Sequence, residues 1–146
     1  MRHPGASAIV PFLGDPRGPD PEILLLRQYR YATGGFLLEV PAGRLDRDED
    51  PLDCARRELR EETGCSAERM DRLTTIWTTP GFSDERIHLF MASGLTRGEH
   101  AREADEFIET EAMPLSHALE LIRDGRIMDA KTALSILFAA GFRHGS

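Results

Sequence analysis

The chain has 146 residues, 40% of them hydrophobic and 29% charged, with a net charge of −7. That length suits one domain with a core of its own. The acidic balance excludes a broad basic surface for nucleic acid or anionic membrane, and no apolar run approaches the roughly 20 residues that span a bilayer.

The start, Met1-Arg2-His3-Pro4-Gly5, leads into a short apolar run with no small-residue cleavage pattern. A signal peptide is therefore rejected and a cytoplasmic location expected. Cys54 and Cys65 are too few for a disulfide scaffold or a structural zinc site, and both are expected to be buried.

Ser7 to Leu13 and Glu22 to Arg27 read as strands, separated by the Pro- and Gly-rich loop Gly14 to Pro21. They are expected to form an antiparallel pair. Phe36 to Val40 is a third strand, ended by the turn Pro41-Ala42-Gly43. A helix follows, with Asp50 as N-cap, Pro51 at its first position and Gly64 just past its end. Leu52, Ala55 and Leu59 form its apolar stripe. Leu73 to Thr78 and Arg86 to Ala92 are strands around the turn Pro80-Gly81-Phe82-Ser83, and Phe107 to Ala112 is another. A second helix runs from near Pro114 to about Arg123, with Leu115, Ala118, Leu119 and Ile122 inward. A third runs from about Asp129 to Phe142 and is apolar enough to be well buried. This order predicts an α/β (α+β) sandwich with a mixed sheet between helical layers, in a single domain over residues 1–146.

The first helix carries the chemistry. Glu58, Glu61 and Glu62 stand at i, i+3 and i+4 and share one face, roughly 5–6 Å apart at Cβ. Three like charges so close destabilise a bare helix, and Arg56, Arg57 and Arg60 offset this only in part. A Glu-Glu pair alone is usually a solvated face. Here the helix also follows a Pro-Ala-Gly turn, with Glu49 in the loop. Gly43 lets backbone approach a ligand because it has no side chain. A hard cation with oxygen ligands is the natural compensation.

Gly43 to Cys65 reads GRLDRDEDPLDCARRELREETGC. It fits G-x5-E-x7-R-E-U-x-E-E-x-G-U, with U apolar, through Gly43, Glu49, Arg57, Glu58, Glu61, Glu62 and Gly64. At average residue frequencies the odds of a chance match are on the order of one in a million. The segment resembles the signature of the Nudix hydrolases, and the strand–loop–helix order is similar to their α/β/α sandwich. The resemblance implies cleavage of a nucleoside diphosphate linked to another group. It implies Mg²⁺, with Mn²⁺ as the alternative, held by Glu58, Glu62 and the Ala42 carbonyl. Glu61 resembles a third ligand or an orienter of metal-bound water. Arg57 and Glu49 resemble the pair that braces the loop against the helix.

Four further segments narrow the resemblance to the ADP-ribose pyrophosphatase branch: Arg27-Gln28-Tyr29-Arg30, Glu39 to Gly43, Thr79 to Glu85 and Asp129-Ala130-Lys131-Thr132. The implied products are AMP and ribose 5-phosphate. By the same resemblance the acidic loop Glu103-Ala104-Asp105-Glu106 holds the general base, Glu106 first and Glu103 second. Glu85 resembles a carboxylate near substrate or metal. Arg27 and Arg30 are candidates for bidentate phosphate contacts or for surface ion pairs. Phe82 or Tyr29 is a candidate for stacking on a base, against the commoner use of aromatics in packing.

Only about one hairpin precedes Gly43, so the β-rich N-terminal segment that this branch swaps between subunits is expected to be short or absent. Family habit implies a homodimer. Two alternatives stay open: a Nudix enzyme of GDP-mannose, dinucleoside polyphosphates or damaged nucleotides, and a non-catalytic nucleotide-sensing domain. The second would most readily lose a metal glutamate, and none is lost.

Overall fold

The computed structural model describes residues 4–98 and 108–145. In chain order it contains β1 (Ala6–Pro11), β2 (Glu22–Arg30), a single 3-10 turn at Tyr31–Thr33, β3 (Gly35–Glu39), β4 (Ala42–Arg44), α1 (Pro51–Thr63), β5 (Cys65–Trp77), β6 (Arg86–Arg97), β7 (Ile108–Pro114), α2 (Leu115–Arg123) and α3 (Ala130–Phe142). Among the described residues no helix is long and apolar enough to cross a membrane.

The strands form two sheets, ordered β4-β1-β6-β5 and β3-β2-β7. The first is mixed: β1 runs parallel to β6, from Ala6 opposite Ile87 to Pro11 opposite Ala92, and antiparallel to β4. The expected β1–β2 pair is reduced to a single antiparallel bridge, Phe12 to Ile23. A strand has only two edges. Those of β1 go to β4 and β6, and those of β2 go to β3 and β7. The predicted mixed sheet is present as β4-β1-β6-β5, and a second sheet, β3-β2-β7, meets it at this bridge.

Helices cover both sides, as the sequence predicted. On one side Ala55 and Leu59 of α1 pack with Ile9, Leu24, Phe90 and Ala92. On the other, Leu115, Ala118 and Leu121 of α2 and Ile136 and Ala139 of α3 meet Val10, Leu25, Leu89 and Met91. α3 corrects an expectation. Its buried stripe is Thr132, Ser135, Ile136 and Ala139, mostly small residues that let the helix approach the sheet closely. Leu134, Leu137 and Phe142 lie on its outer side, 37%, 49% and 48% exposed.

α1 follows its sequence signals. The Asp50 carboxylate accepts from the Leu52 N–H at 3.1 Å. Gly64 takes a left-handed φ of 77° and its N–H closes the last turn on the Arg60 carbonyl. Thr63 belongs to the buried stripe, and its hydroxyl donates to the Leu59 carbonyl at 2.6 Å. Cys54 and Cys65 are both buried and free, as expected. Burial pushes the Cys54 thiol up to about 11, so it is inert at neutral pH.

Candidate active site

β3 and β4 are separated by Pro41, which has no N–H to continue a ladder. The chain turns there and lays Ala42 and Gly43 along α1. The Ala42 N–H donates to Glu62 Oε1 at 2.9 Å. A Cβ on Gly43 would collide with the Glu58 carboxylate. The glycine thus permits a close approach of backbone to Glu58; the sequence reading expected one to a ligand.

Arg57 ties the preceding loop to the helix. Its guanidinium donates to both Glu49 oxygens at 2.9 Å, to Glu58 Oε2 at 2.9 Å, to Glu61 Oε1 at 3.1 Å and to the Arg44 carbonyl at 3.1 Å. Glu49 also accepts from the Asp46 N–H at 2.9 Å. These bonds, led by those from Arg57, hold the Glu49 carboxyl down at about 2.

The three helix glutamates share a face but not a focus. Among the described residues, no three carboxylate, imidazole or thiol groups converge closely enough to enclose an ion. Like charges diverge, and each takes the nearest donor. Glu58 and Glu61 turn to Arg57, with Glu61 half-exposed, and Glu62 turns to the Ala42 amide. The donor set still fits a hard divalent cation. It is all oxygen, the kind that Mg²⁺ and Mn²⁺ prefer. Burial pushes Glu62 up to about 7, against the opposing pull of the Ala42 amide. Burial also raises Glu58, against the pull of Arg57. Desolvated carboxylates held side by side favour any positive charge placed between them.

Glu62, Ala42 and Gly43 line a cleft of about 240 Å³ with Arg30, Glu39, Glu85 and Lys131. Arg30 donates to both oxygens of Glu39, at 2.8 and 2.9 Å. Glu39 is only 6% exposed, and a buried carboxylate needs such a partner. Glu85 accepts from the Thr78 hydroxyl at 2.8 Å. Lys131 Nζ lies 3.3 Å from Asp129 Oδ1.

Other predicted residues fall elsewhere. Side chains alternate along a strand, so Arg27 and Tyr29 point from the face of β2 opposite Arg30. Arg27 lies over the Phe36 ring at 4.7 Å and 3.9 Å from Glu109. Tyr29 stacks on Tyr31. Phe82 is 96% exposed and does not line the cleft. Glu103 and Glu106 lie outside the described residues.

Sequence reading gave no role to Glu39 or Lys131. Glu39 had a signal: a lone carboxylate inside the apolar run Phe36 to Val40 demands a buried partner. Lys131 stood in a quoted segment, but nothing local points it at a cleft 90 residues upstream.

A larger cleft, about 770 Å³, lies between the 13–17 loop, the β5–β6 hairpin and the end of α3. Three of its arginines are engaged within the fold: Arg69 with Asp71, Arg72 with Thr75 and His88, and Arg143 with the Pro16 and Gly18 carbonyls. No glutamate lines it. Glutamates line the smaller cleft.

Comparison with known proteins gives a consistent result. A family model described as NUDIX domain matches residues 1–132. A methanol dehydrogenase activator of Bacillus methanolicus is 39% identical over 140 residues, 94% of this chain and 73% of that protein. An ADP-ribose pyrophosphatase of Bacillus subtilis is 37% identical with the same coverage. A GDP-mannose pyrophosphatase of Cronobacter sakazakii is 41% identical over 77% of this chain and 63% of that protein. In fold, the chain is similar to the crystal structure of an ADP compounds hydrolase. The TM-score is 0.80 at 23% identity, over 94% of this chain and 71% of that one.

Proposed function

The chain belongs to the Nudix family and is one of its pyrophosphohydrolases, and we propose that its substrate is a nucleoside diphosphate sugar, ADP-ribose first, cleaved with Mg²⁺ to AMP and ribose 5-phosphate. The observation that carries this reading is the desolvated, all-oxygen cluster of Glu58 and Glu62 against Ala42 and Gly43, which opens on a cleft lined by three cations, Arg30, Arg44 and Lys131. Nudix hydrolases generally use divalent metal ions, and this donor set suits one. Glu58, Glu62 and the Ala42 carbonyl hold it, and Glu61 serves as a third ligand or orients the attacking water. When bound, Mg²⁺ neutralises charge on the pyrophosphate and lowers the pKa of water.

The chain's own residues do the positioning. Arg57 and Glu49 fix the loop to α1, so Ala42 and Gly43 keep their place beside the carboxylates. Arg30 and Lys131, which line the cleft with Glu62, meet the negative charge of the substrate. Glu85 stands at the mouth as a further polar contact. No covalent nucleophile is needed, because positioning and electrostatics carry phosphoryl chemistry.

The general base is Glu106, with Glu103 as second choice. Glu106→Gln lowers kcat by about a hundredfold or more and leaves KM little changed. An unchanged kcat moves the base to Glu103 or elsewhere. The working enzyme is a cytoplasmic homodimer of one Nudix domain per chain.

The substrate is tested by comparing kcat/KM for ADP-ribose, GDP-mannose, diadenosine polyphosphates and nucleoside triphosphates in Mg²⁺. ADP-ribose leads on this reading. A lead for another compound discards the substrate and keeps the chemistry. Binding without cleavage of any compound replaces the enzyme reading with a nucleotide sensor.

A further inference from the structure

The link Val40-Pro41-Ala42 sets where the Ala42 N–H meets Glu62 and where Gly43 lies against Glu58. Pro41 interrupts the ladder, so the link needs other anchors. The Pro41 carbonyl accepts from the Ile9 N–H at 2.9 Å. A further anchor comes from far along the chain: the Val40 N–H donates to Thr132 Oγ1 at 3.0 Å, in the buried interior, across 92 positions of sequence.

Thr132 is fully buried at the third position of α3. Its hydroxyl donates to Asp129 Oδ2 at 2.7 Å, and its N–H donates to the same oxygen at 3.0 Å. A hydroxyl has one proton. With that proton committed to Asp129, a lone pair is aimed at Val40. Asp129 stays ionised: burial would raise its carboxyl, but the Thr132 hydroxyl and the Lys131 charge together bring it below its ordinary value. A helix cap needs only an acceptor at Asp129 and the Thr132 N–H. The Thr132 hydroxyl and its bond to Val40 exceed that need.

We propose that Thr132, oriented by Asp129, is a positioning residue for the cation site: it fixes the Val40–Ala42 link and thereby the contact between Ala42 and Glu62. This rests on the reading that Glu58 and Glu62 hold the cation. It gives the start of α3 a part in the chemistry through the backbone, separate from any contact Lys131 makes with substrate.

The test is Mn²⁺ affinity of the purified full chain without substrate, read from the electron paramagnetic resonance of free Mn²⁺. Thr132→Val keeps the shape and removes the lone pair. It weakens Mn²⁺ binding by about tenfold to a hundredfold, the usual cost of losing a partner behind a ligand. Thr132→Ser restores binding. In turnover, excess Mg²⁺ recovers kcat for Thr132→Val, whereas a general loss of folded protein lowers kcat at every Mg²⁺ concentration. If circular dichroism shows Thr132→Val unfolded, Thr132→Ala, which leaves space for a water at the Val40 N–H, is titrated in its place. Mn²⁺ affinity within about twofold of the unaltered chain overturns the proposal. Glu62→Gln is the control: if it too binds Mn²⁺ normally, the cation reading fails, and if only Thr132→Val does, the positioning role alone fails.

Discussion

Glu62→Gln removes metal-dependent turnover and leaves the fold intact. The amide oxygen of glutamine still accepts from the Ala42 N–H, so the local bond survives. What is lost is a negative ligand. A ligand contribution of several kcal/mol corresponds to a fall in kcat of about a hundredfold to several thousandfold. The same variant has a stability signature. In the folded chain Glu62 titrates at about 7, above its ordinary value of 4.5. Between those values the folded protein keeps a proton that the unfolded chain has released. The contribution of Glu62 to the stability of the metal-free protein is therefore fully present below pH 4.5 and is lost as pH rises through about 7. Glu62→Gln lacks that decline. Adding Mg²⁺ at pH 8 raises the melting temperature of the unaltered chain, because the ion binds the folded state, and does not raise that of Glu62→Gln. Thermal melts with EDTA and with Mg²⁺ across this pH range check both statements. Equal Mg²⁺ stabilisation of the two proteins contradicts the assignment of Glu62.

Gly43→Ala also separates function from stability. The added methyl meets the Glu58 carboxylate, the far end of a flexible side chain, and not backbone. Glu58 moves aside at small cost to the fold. The displaced carboxylate then leaves the cation site, and its bond to Arg57 is disturbed. Activity falls by about a hundredfold or more, since a ligand shifted by an ångström no longer serves. A melt and a rate measurement on the one variant suffice. Retained activity shows that Glu58 need not stand against Gly43, and a collapsed melting temperature shows that the glycine serves the fold.

What the sequence disclosed follows the range of the interactions. α1 was legible from end to end because its signals are local: an aspartate cap, a proline in the first turn and a left-handed glycine stop. The carboxylate face followed from helical spacing alone. Strand pairing is not local. Ser7 to Leu13 and Glu22 to Arg27 look like a hairpin in sequence, yet β1 spends its edges on β4 and β6. The first half of β5 was missed because many of its residues, among them Glu68, Arg69 and Asp71, are polar, and only Cys65, Ala67 and Met70 pack against the core. α3 was read as buried from its apolar content, but its small and hydroxylated residues face inward. In the site, the glutamates and Arg57 came from one short segment. Arg30 with Glu39, and Thr132 with Val40, join elements that only the fold brings together.

The central claim is metal-dependent cleavage of a pyrophosphate link by the carboxylate face of α1. Phosphorus NMR of ADP-ribose with the purified chain, once in Mg²⁺ and once in EDTA, tests it directly. The account predicts that the pyrophosphate signals are replaced by those of AMP and ribose 5-phosphate in Mg²⁺ and persist in EDTA. Cleavage at the same rate in EDTA, or an intact pyrophosphate in Mg²⁺, contradicts it.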